Sequence, residues 1–504
     1  MLNPKVYQFL VSCFASVGSF TYGYDLGIIA QVIASESFVD YFNKPDSDKT
    51  GLVVSLFTVG AFVGAFIAGY MSDFAGRRAT IAYATVIFIF GGAMQCGAQN
   101  ISYLFAGRFI GGMGVGLLTM IIPLYQAELA HPSIRGRVTA LQQFFLGIGA
   151  LVASWIGYGC YISFADNRQW RIPLGIQMAP AVILGSLIFF FPESPRWLLD
   201  KDRHDQALKT IARLYANGDV NDPLVKVEFD DIQAAILDDR QNGSHSWSDL
   251  IRDRSNFRRL FLTVALQGSV QMTGVSAIQY YSTTIFSQMG FSTSRTLLFQ
   301  AINSIIALIA QGCCIGLIDI TGRRWPLILG NICNGMTFIV SCILLAVYPP
   351  YSGVVQPRSA QIGFIAATWI YNFSFSATCG PLSWIIPAEV FNTATRSKGV
   401  ALATMTCFAM NTMIGQVTDR AMNTVHYKYY FLFIICNFTN ALFFWAILPE
   451  TVRTPLESMN NLFENAPWFV PTMNRHDYLQ DFEAEVREEA EKEKMAHLED
   501  STQA

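Results

Sequence analysis

Apolar runs of about 20 residues recur along this chain, and that is the length an α-helix needs to cross the hydrocarbon core of a bilayer. Twelve such runs are predicted to span, at 9–33, 50–71, 79–98, 102–124, 138–161, 173–191, 259–288, 296–318, 326–347, 361–387, 399–418 and 429–448. Composition agrees: of 504 residues, 52% are hydrophobic and 14% charged, against about 25% charged in an ordinary soluble domain. The expected fold class is an all-α membrane protein with the lipid bilayer as its surroundings. A net charge of −3 leaves no electrostatic footprint for nucleic acid. The ten cysteines lie mostly inside apolar runs without metal-ligand spacing, so reduced thiols are expected, Cys96 and Cys160 included. No nucleophile–base pair, metal motif or phosphate loop is found. The chain therefore reads as a non-enzyme without cofactor or metal.

Orientation follows from the loops. Arg77-Arg78, Arg135 with Arg137, Arg323-Arg324, and Arg396 with Lys398 fall in alternate short connections. Loops rich in Lys and Arg stay on the cytoplasmic side, so both termini are expected inside. The first span is too long and too polar at its centre for a signal peptide. Between the sixth and seventh spans, Leu208, Ile211 and Leu214, then Phe229, Ile232 and Ile236, recur at helical spacing and predict short amphipathic helices. The end of the chain, with its "EAEVREEAEKEK", reads as an acidic solvated tail.

The chain repeats itself. "DFAGRR" at Asp73–Arg78 returns as "DITGRR" at Asp319–Arg324. Glu128 precedes Arg135 by seven, as Glu389 precedes Arg396, and "PESPR" at Pro192–Arg196 is echoed by "PETVR" at Pro449–Arg453. Three matches in one order imply two pseudo-symmetric six-helix bundles. Expected domains are 1–199, a cytoplasmic helical linker at 200–258, the second bundle at 259–465 and a tail at 466–504. Parallel halves with a substrate site between them at mid-membrane are a known transporter architecture.

These motifs, with "GRFIGGMGVG" and "PLYQAELAHPSIRGR" over Gly107–Arg137, "GPLSWIIPAEVF" and "PETVRTPLESMNNLF", resemble those of sugar porters of the major facilitator superfamily, fungal monosaccharide transporters in particular. The resemblance runs from Gly23 to Phe463. It implies alternating-access import of a sugar with protons at the plasma membrane, by a monomer. It leaves open another polyhydroxyl solute, such as a sugar acid, polyol or disaccharide, and a nontransporting sugar sensor. It also implies a cytoplasmic ion-pair network of Asp73, Arg77, Arg78, Glu128, Arg135, Arg137, Glu193, Arg196, Asp319, Arg323, Arg324, Glu389 and Arg396 that latches the two halves. The glycines of "GGMGVG" have small-xxx-small spacing, which lets transmembrane helices approach closely.

Inside the first span stands "TYGYDLGII". A charge at a helix centre costs about 2.5–3.5 kcal/mol on insertion scales, so Asp25 should be paired or line a wet cavity. Arg108, in the outer half of the fourth span, is its best partner by position. In proton-coupled members of the resembling family an acid here faces such an arginine and carries the coupling proton.

A sugar site needs amides, which both donate and accept, and an aromatic face. Gln143 in the fifth span matches a family glutamine, and Gln271 matches the second glutamine of a "QQxSGxN" pattern. Gln267 shares its helical stripe. Trp384 follows Gly380-Pro381, and Asn411 matches a polar position of the eleventh span. Val270, Ser276 and Cys407 stand where the family carries amides, while Gln31 and Gln279 are additions. The expected ligand is a neutral hexose or pentose held by Gln143, Gln267, Gln271, Ser276, Gln279, Trp384 and Asn411.

Overall fold

The computed structural model describes residues 4–130, 135–242, 249–287, 289–349, 356–391, 395–451, 459, 462–463 and 467–472. Those residues are mostly helical and contain no strand. Nine stretches among them are long and apolar enough to cross a membrane, and one of these, Arg396–Ile447, joins two spans. The first and tenth spans are not among those nine, and both are broken. Span one is Pro4–Ala15 followed by Val17–Ala34, and span ten is Arg358–Ala377 followed by Cys379–Val390. Span six breaks at Gln177, between Arg168–Ile176 and Met178–Leu187, and span seven between Arg254–Gln271 and Val275–Ser287. The remaining spans are Ser47–Ala75, Arg77–Cys96, Ile101–Leu129, Arg135–Ser163, Thr293–Thr321, Arg324–Val347, Arg396–Val425 and Tyr430–Ile447. Twelve crossings in two halves result.

Local chemistry sets several helix starts. Asp46 accepts from the Lys49 N–H, Asn100 from Tyr103, Ser194 from Trp197 and Asp253 from Asn256. Each side-chain oxygen satisfies one of the donors that a helix leaves unpaired at its first turn. Gly76 and Gly322 end spans two and eight with φ of 88° and 81°. A side chain would be strained at that φ, and a Cβ would meet the carboxylates of Glu193 and Glu450 at 2.9 and 2.5 Å.

The amphipathic helices between the halves are present at Pro195–Asp200, His204–Tyr215 and Pro223–Asn242. Trp197, Leu198, Leu199, Ala207, Ile211 and Val225 form their own small core. That core is tied to the first bundle: Trp197 Nε1 donates to Asp73 O at 3.0 Å, and Gln8 Nε2 to Leu214 O at 3.0 Å. Leu250, from the short helix Asp249–Arg252, packs instead with Phe391 and Val400 of the second bundle. The expected acidic tail lies outside the described residues from 473 onward.

The halves meet along spans one and seven and along spans two and eleven. Thr283 Oγ1 donates to Ala30 O at 3.3 Å. Thr58 and Thr412 share a 2.6 Å hydroxyl contact, and Ser55 Oγ donates to Gln416 Oε1 at 2.7 Å. Tyr22 packs edge-on against Phe408 across the same seam, ring centroids 5.9 Å apart.

Candidate functional site

Gly23 and Gly27 let span one press against the backbone of span five, because a Cβ at either would meet Leu146 or Ala150 below 3 Å. That approach buries Asp25 completely. Arg108 Nη1 donates to Asp25 Oδ1, and both side chains are wholly excluded from solvent. The guanidinium is held on other sides as well. Its Nε donates to Val53 O at 2.9 Å, its plane lies 4.2 Å from the Phe57 ring centroid, and Gln95 Oε1 stands 3.5 Å from Nη1. Asp25 Oδ2 and Arg108 Nη2 have no hydrogen-bond partner among the described residues. Half of a strong charge-assisted pair is made and half is left open.

Tyr22 lies within electrostatic reach of Asp25, Tyr280 and Cys407. Tyr280, fully buried on span seven, sits beside Asn411 and within the same reach of Asp25 and Arg108. Cys407 accepts from Gln271 Nε2 at 3.1 Å, and Ser276 Oγ donates to Gln271 Oε1 at 2.6 Å. A polar file thus runs from Asp25, across the seam, to Gln271. Gln267 Nε2 donates to Ser383 O at 2.8 Å, one residue before Trp384. A Cβ on Gly380 would stand 3.3 Å from Gln143 Nε2, so spans five and ten nearly touch there. Gln143 Oε1, Gln267 Oε1 and Asn411 Oδ1 carry no partner among the described residues. Gln143, Gln267, Gln271, Ser276, Trp384 and Asn411 therefore gather around one half-helix, Cys379–Val390, and its neighbours. Gln279 is half-buried on the same half-helix as Ser276. Gln31 turns away: its amide donates to Ser154 O at 2.9 Å, within its own half.

At the Arg-rich end the repeat acquires geometry. Arg77 grips Glu128 with two bonds of 2.8 Å, and the Glu193 carboxylate accepts the backbone N–H groups of Arg77 and Arg78 at 3.1 and 3.2 Å. In the second half Arg323 grips Glu389 at 2.9 and 3.4 Å, and Glu450 accepts from the N–H groups of Arg323 and Arg324 at 2.8 and 3.1 Å. Each GRR arginine thus meets a carboxylate far from it in sequence. A helical turn separates neighbours in sequence, whereas the GRR turn lays its guanidinium against the end of the span four or ten helix. Asp73 reaches Arg77 at 3.8 Å, and Lys398 of the other half lies within electrostatic reach of it. Burial pushes the Glu193 carboxyl above its ordinary value, against the pull of the backbone donors that favour its ionised form. Arg396 donates to Phe391 O at 3.2 Å. The side chains of Arg135, Arg137 and Asp319 lie outside the described residues. All ten cysteines are free.

The family model for sugar (and other) transporters matches residues 11–463. The chain belongs to that family. It is a multi-pass membrane transporter of the major facilitator fold, not an enzyme. Among curated relatives, the MFS-type transporter criB of Aspergillus cristatus is 34% identical over 90% of this chain and 94% of its own length. A high-affinity glucose transporter of Kluyveromyces lactis is 31% identical over 92% and 87%. Among solved structures, the proton:xylose symporter XylE bound to 6-bromo-6-deoxy-D-glucose superposes with a TM-score of 0.79 at 24% identity, covering 91% of this chain and 99% of that one. The inward-open form of the E. coli xylose transporter gives 0.70 at 23%, covering 90% and 100%.

Four residues that the structure places in this candidate site escaped sequence reasoning. Tyr22, Tyr280 and Gln95 carry no motif, and an aromatic in a membrane helix is ordinarily core or belt. Cys407 appeared only as a missing amide, although its sulfur is what accepts from Gln271. The signal that would have found Tyr22 and Gln95 is positional. Tyr22 lies one turn before Asp25, and Gln95 is the polar residue that ends span three beside the span containing Arg108.

Proposed function

We propose that this transporter imports a neutral monosaccharide together with protons by alternating access, at the plasma membrane, with the Arg-rich face and both termini cytoplasmic. The observation that carries the reading is the buried Asp25–Arg108 pair with one carboxylate oxygen left open. A fully satisfied static pair would have no need of an open oxygen. Protonation at Oδ2 cancels the carboxylate charge, loosens Nη1, and frees Arg108 toward its remaining contacts at Val53 and Gln95. Tyr22 and Tyr280 bridge from that event to Asn411, Cys407 and Gln271, so discharge of Asp25 is felt where the ligand sits. One charge moving down about 100 mV releases roughly 2.3 kcal/mol, which supports a concentration ratio of about fifty at 1.4 kcal/mol per decade.

The ligand contacts we assign are Gln143, Gln267, Gln271, Gln279 and Asn411, with Trp384 as the aromatic floor and Ser276 steering Gln271. While Asp25 is ionised it neutralises Arg108, so among the described residues no other cation is placed to compensate a buried ligand carboxylate in this group. The ion-pair clusters at Arg77 and Arg323, with Lys398 opposite Asp73, stabilise the form closed at the cytoplasmic end.

The test is uptake of tritiated D-glucose and D-xylose into proteoliposomes with an imposed inward-acid gradient. Asp25→Asn should abolish accumulation while keeping some downhill exchange. A mutant that concentrates sugar to wild-type levels would remove Asp25 as the coupling group. Strong competition by galacturonate alone would replace the neutral sugar with a sugar acid.

A further inference from the structure

Four asparagines are buried in the wall of the second half, away from the site just described. Asn331 and Asn334 lie on span nine, Asn437 and Asn440 on span twelve, and none is more than 8% exposed. Amides at this depth need partners, because lipid supplies none. Asn331 and Asn437 donate at 2.8 Å to Leu327 O and Phe433 O of their own helices, and all four amides also reach the two helix breaks. Asn440 Nδ2 donates to Ser269 O at 2.9 Å, and Asn437 Nδ2 to Thr273 O at 3.1 Å. Those carbonyls are the ones the break in span seven releases. Thr273 N–H turns back to Val270 O at 3.3 Å instead of reaching Ser269 O, and Gly274 takes φ of +98°. Tyr371 Oη, from span ten, also donates to Thr273 O at 3.2 Å.

The other end of the group sits on the break in span ten, where Thr378 takes φ of −129° and ψ of −81°. Asn331 Nδ2 reaches Cys379 Sγ at 3.4 Å and Asn334 Nδ2 reaches it at 4.0 Å. Span nine comes so close here that a Cβ on Gly330 would lie 2.0 Å from Thr378 Oγ1. Asn440 Nδ2 also donates to Asn331 Oδ1 at 3.4 Å and closes the circuit. An unbroken file therefore runs from Ser269 through Asn440 and Asn331 to Cys379.

We propose that Asn331, Asn334, Asn437 and Asn440 are positioning residues for transport. They form a clasp, built from two spans outside the site, that couples the break of span seven to the break of span ten. The half-helices beyond those breaks, Val275–Ser287 and Cys379–Val390, carry Ser276, Gln279, Tyr280 and Trp384. A freed carbonyl with a fixed side-chain donor tolerates few backbone conformations. Sharing those donors makes the two half-helices change conformation together. Coupling of this kind needs a contiguous element with two arrangements that both ends bias.

The experiment uses the full chain in liposomes and two measurements: amide hydrogen exchange at 272–274, and equilibrium exchange of tritiated D-glucose. Asn331→Leu touches the tenth-span break but not the seventh. It should nevertheless speed amide exchange at 272–274 by about tenfold and slow maximal sugar exchange by about tenfold, with KM held within about twofold. Asn440→Leu should do the same, and the double variant should be no worse than either single one. Cys379→Ala carries the same test if Asn331→Leu does not fold, with Cys379→Ser restoring the acceptor and the rate. Wild-type amide exchange at 272–274 in Asn331→Leu or Cys379→Ala overturns the clasp, as do additive effects in the double variant. A wild-type protein that does not carry D-glucose defeats only the choice of sugar, because hydrogen exchange still decides the coupling.

Discussion

The two halves share one repeated pattern yet place their tightest backbone contacts and their buried asparagines differently. In the first half, glycines bring backbones into contact. A Cβ at Gly112 or Gly116 of span four would fall 2.0 Å from a carbonyl oxygen of Phe57 or Ala61 on span two. Span four is continuous from Ile101 to Leu129, and the buried charge pair sits in this tight frame. Both halves contain broken spans, one and six in the first and seven and ten in the second; a single amide, Gln126, reaches Ser12 O at the first-span break, whereas a group of asparagines serves the breaks of spans seven and ten. Close backbone packing makes a rigid block, since dispersion over many contacts has no second arrangement of similar energy. Exchangeable hydrogen bonds at helix breaks permit one.

The largest effect should come from breaking the frame. Gly116→Ala drives a methyl into the backbone of span two, and overpacking costs about 1–3 kcal/mol or more. Little monodisperse protein should be recovered in detergent. Gly316 on span eight has nothing within 4 Å of its missing Cβ. Gly316→Ala should raise the melting temperature slightly, because alanine is the better helix former by up to about 1 kcal/mol. Equal yields from the two variants would dissolve the contrast.

Next in size is Arg108→Lys. A lysine keeps the charge but cannot donate to Val53 O and Asp25 at once while stacking on Phe57. Folding should survive. Proton-driven uptake should fall by more than about tenfold, a change of about 1.4 kcal/mol in coupling. Uptake close to wild type would show that charge alone suffices.

A smaller difference should separate the two arginine clusters. Arg77 holds Glu128 by two bonds of 2.8 Å, whereas Arg323 holds Glu389 at 2.9 and 3.4 Å. Hydrogen bonds to charged groups contribute about 1.5–3 kcal/mol each. Arg77→Lys should therefore open the Arg-rich end more than Arg323→Lys, read as thiol labelling from that side. The reverse order would make the second half the stiffer gate.

Much of this was legible beforehand, and what was missed has a common cause. Span lengths, the repeat and the pairing of Asp25 with Arg108 follow from hydropathy and from the penalty on a buried charge, and both are strong signals in one sequence. Breaks were hidden: apolar runs through Ser16, Gln177, Met272–Gly274 and Thr378 look continuous, because hydropathy does not register φ and ψ. Partners of the GRR arginines were hidden too. They are set by which helix end the turn faces, and Glu128 lies 51 residues from Arg77. Asn437 and Asn440 carry no motif; only the carbonyls they meet at the span-seven break mark them out.

The smallest expected effect tests the ligand side of the same contrast. Gln271 spends both ends of its amide on neighbours: Oε1 accepts from Ser276 at 2.6 Å and Nε2 donates to Cys407 at 3.1 Å. Sulfur is a weak acceptor, so the second bond is readily surrendered to a sugar hydroxyl, while the first fixes the amide's orientation. Ser276→Asn keeps a donor toward Gln271 Oε1 and adds a carbonyl oxygen that a hydroxyl can use. One added neutral hydrogen bond contributes about 0.5–1.5 kcal/mol, which corresponds to a roughly two- to twelvefold tighter half-saturation for D-glucose. Maximal velocity should fall or stay level, because binding the ground state more tightly does not by itself speed reorientation. Ser276→Ala is the matching loss: Gln271 loses its fixed orientation, and half-saturation should weaken by a similar factor. If both substitutions leave half-saturation within error of wild type, Gln271 does not face the sugar, and ligand recognition moves to Gln143 and the first half.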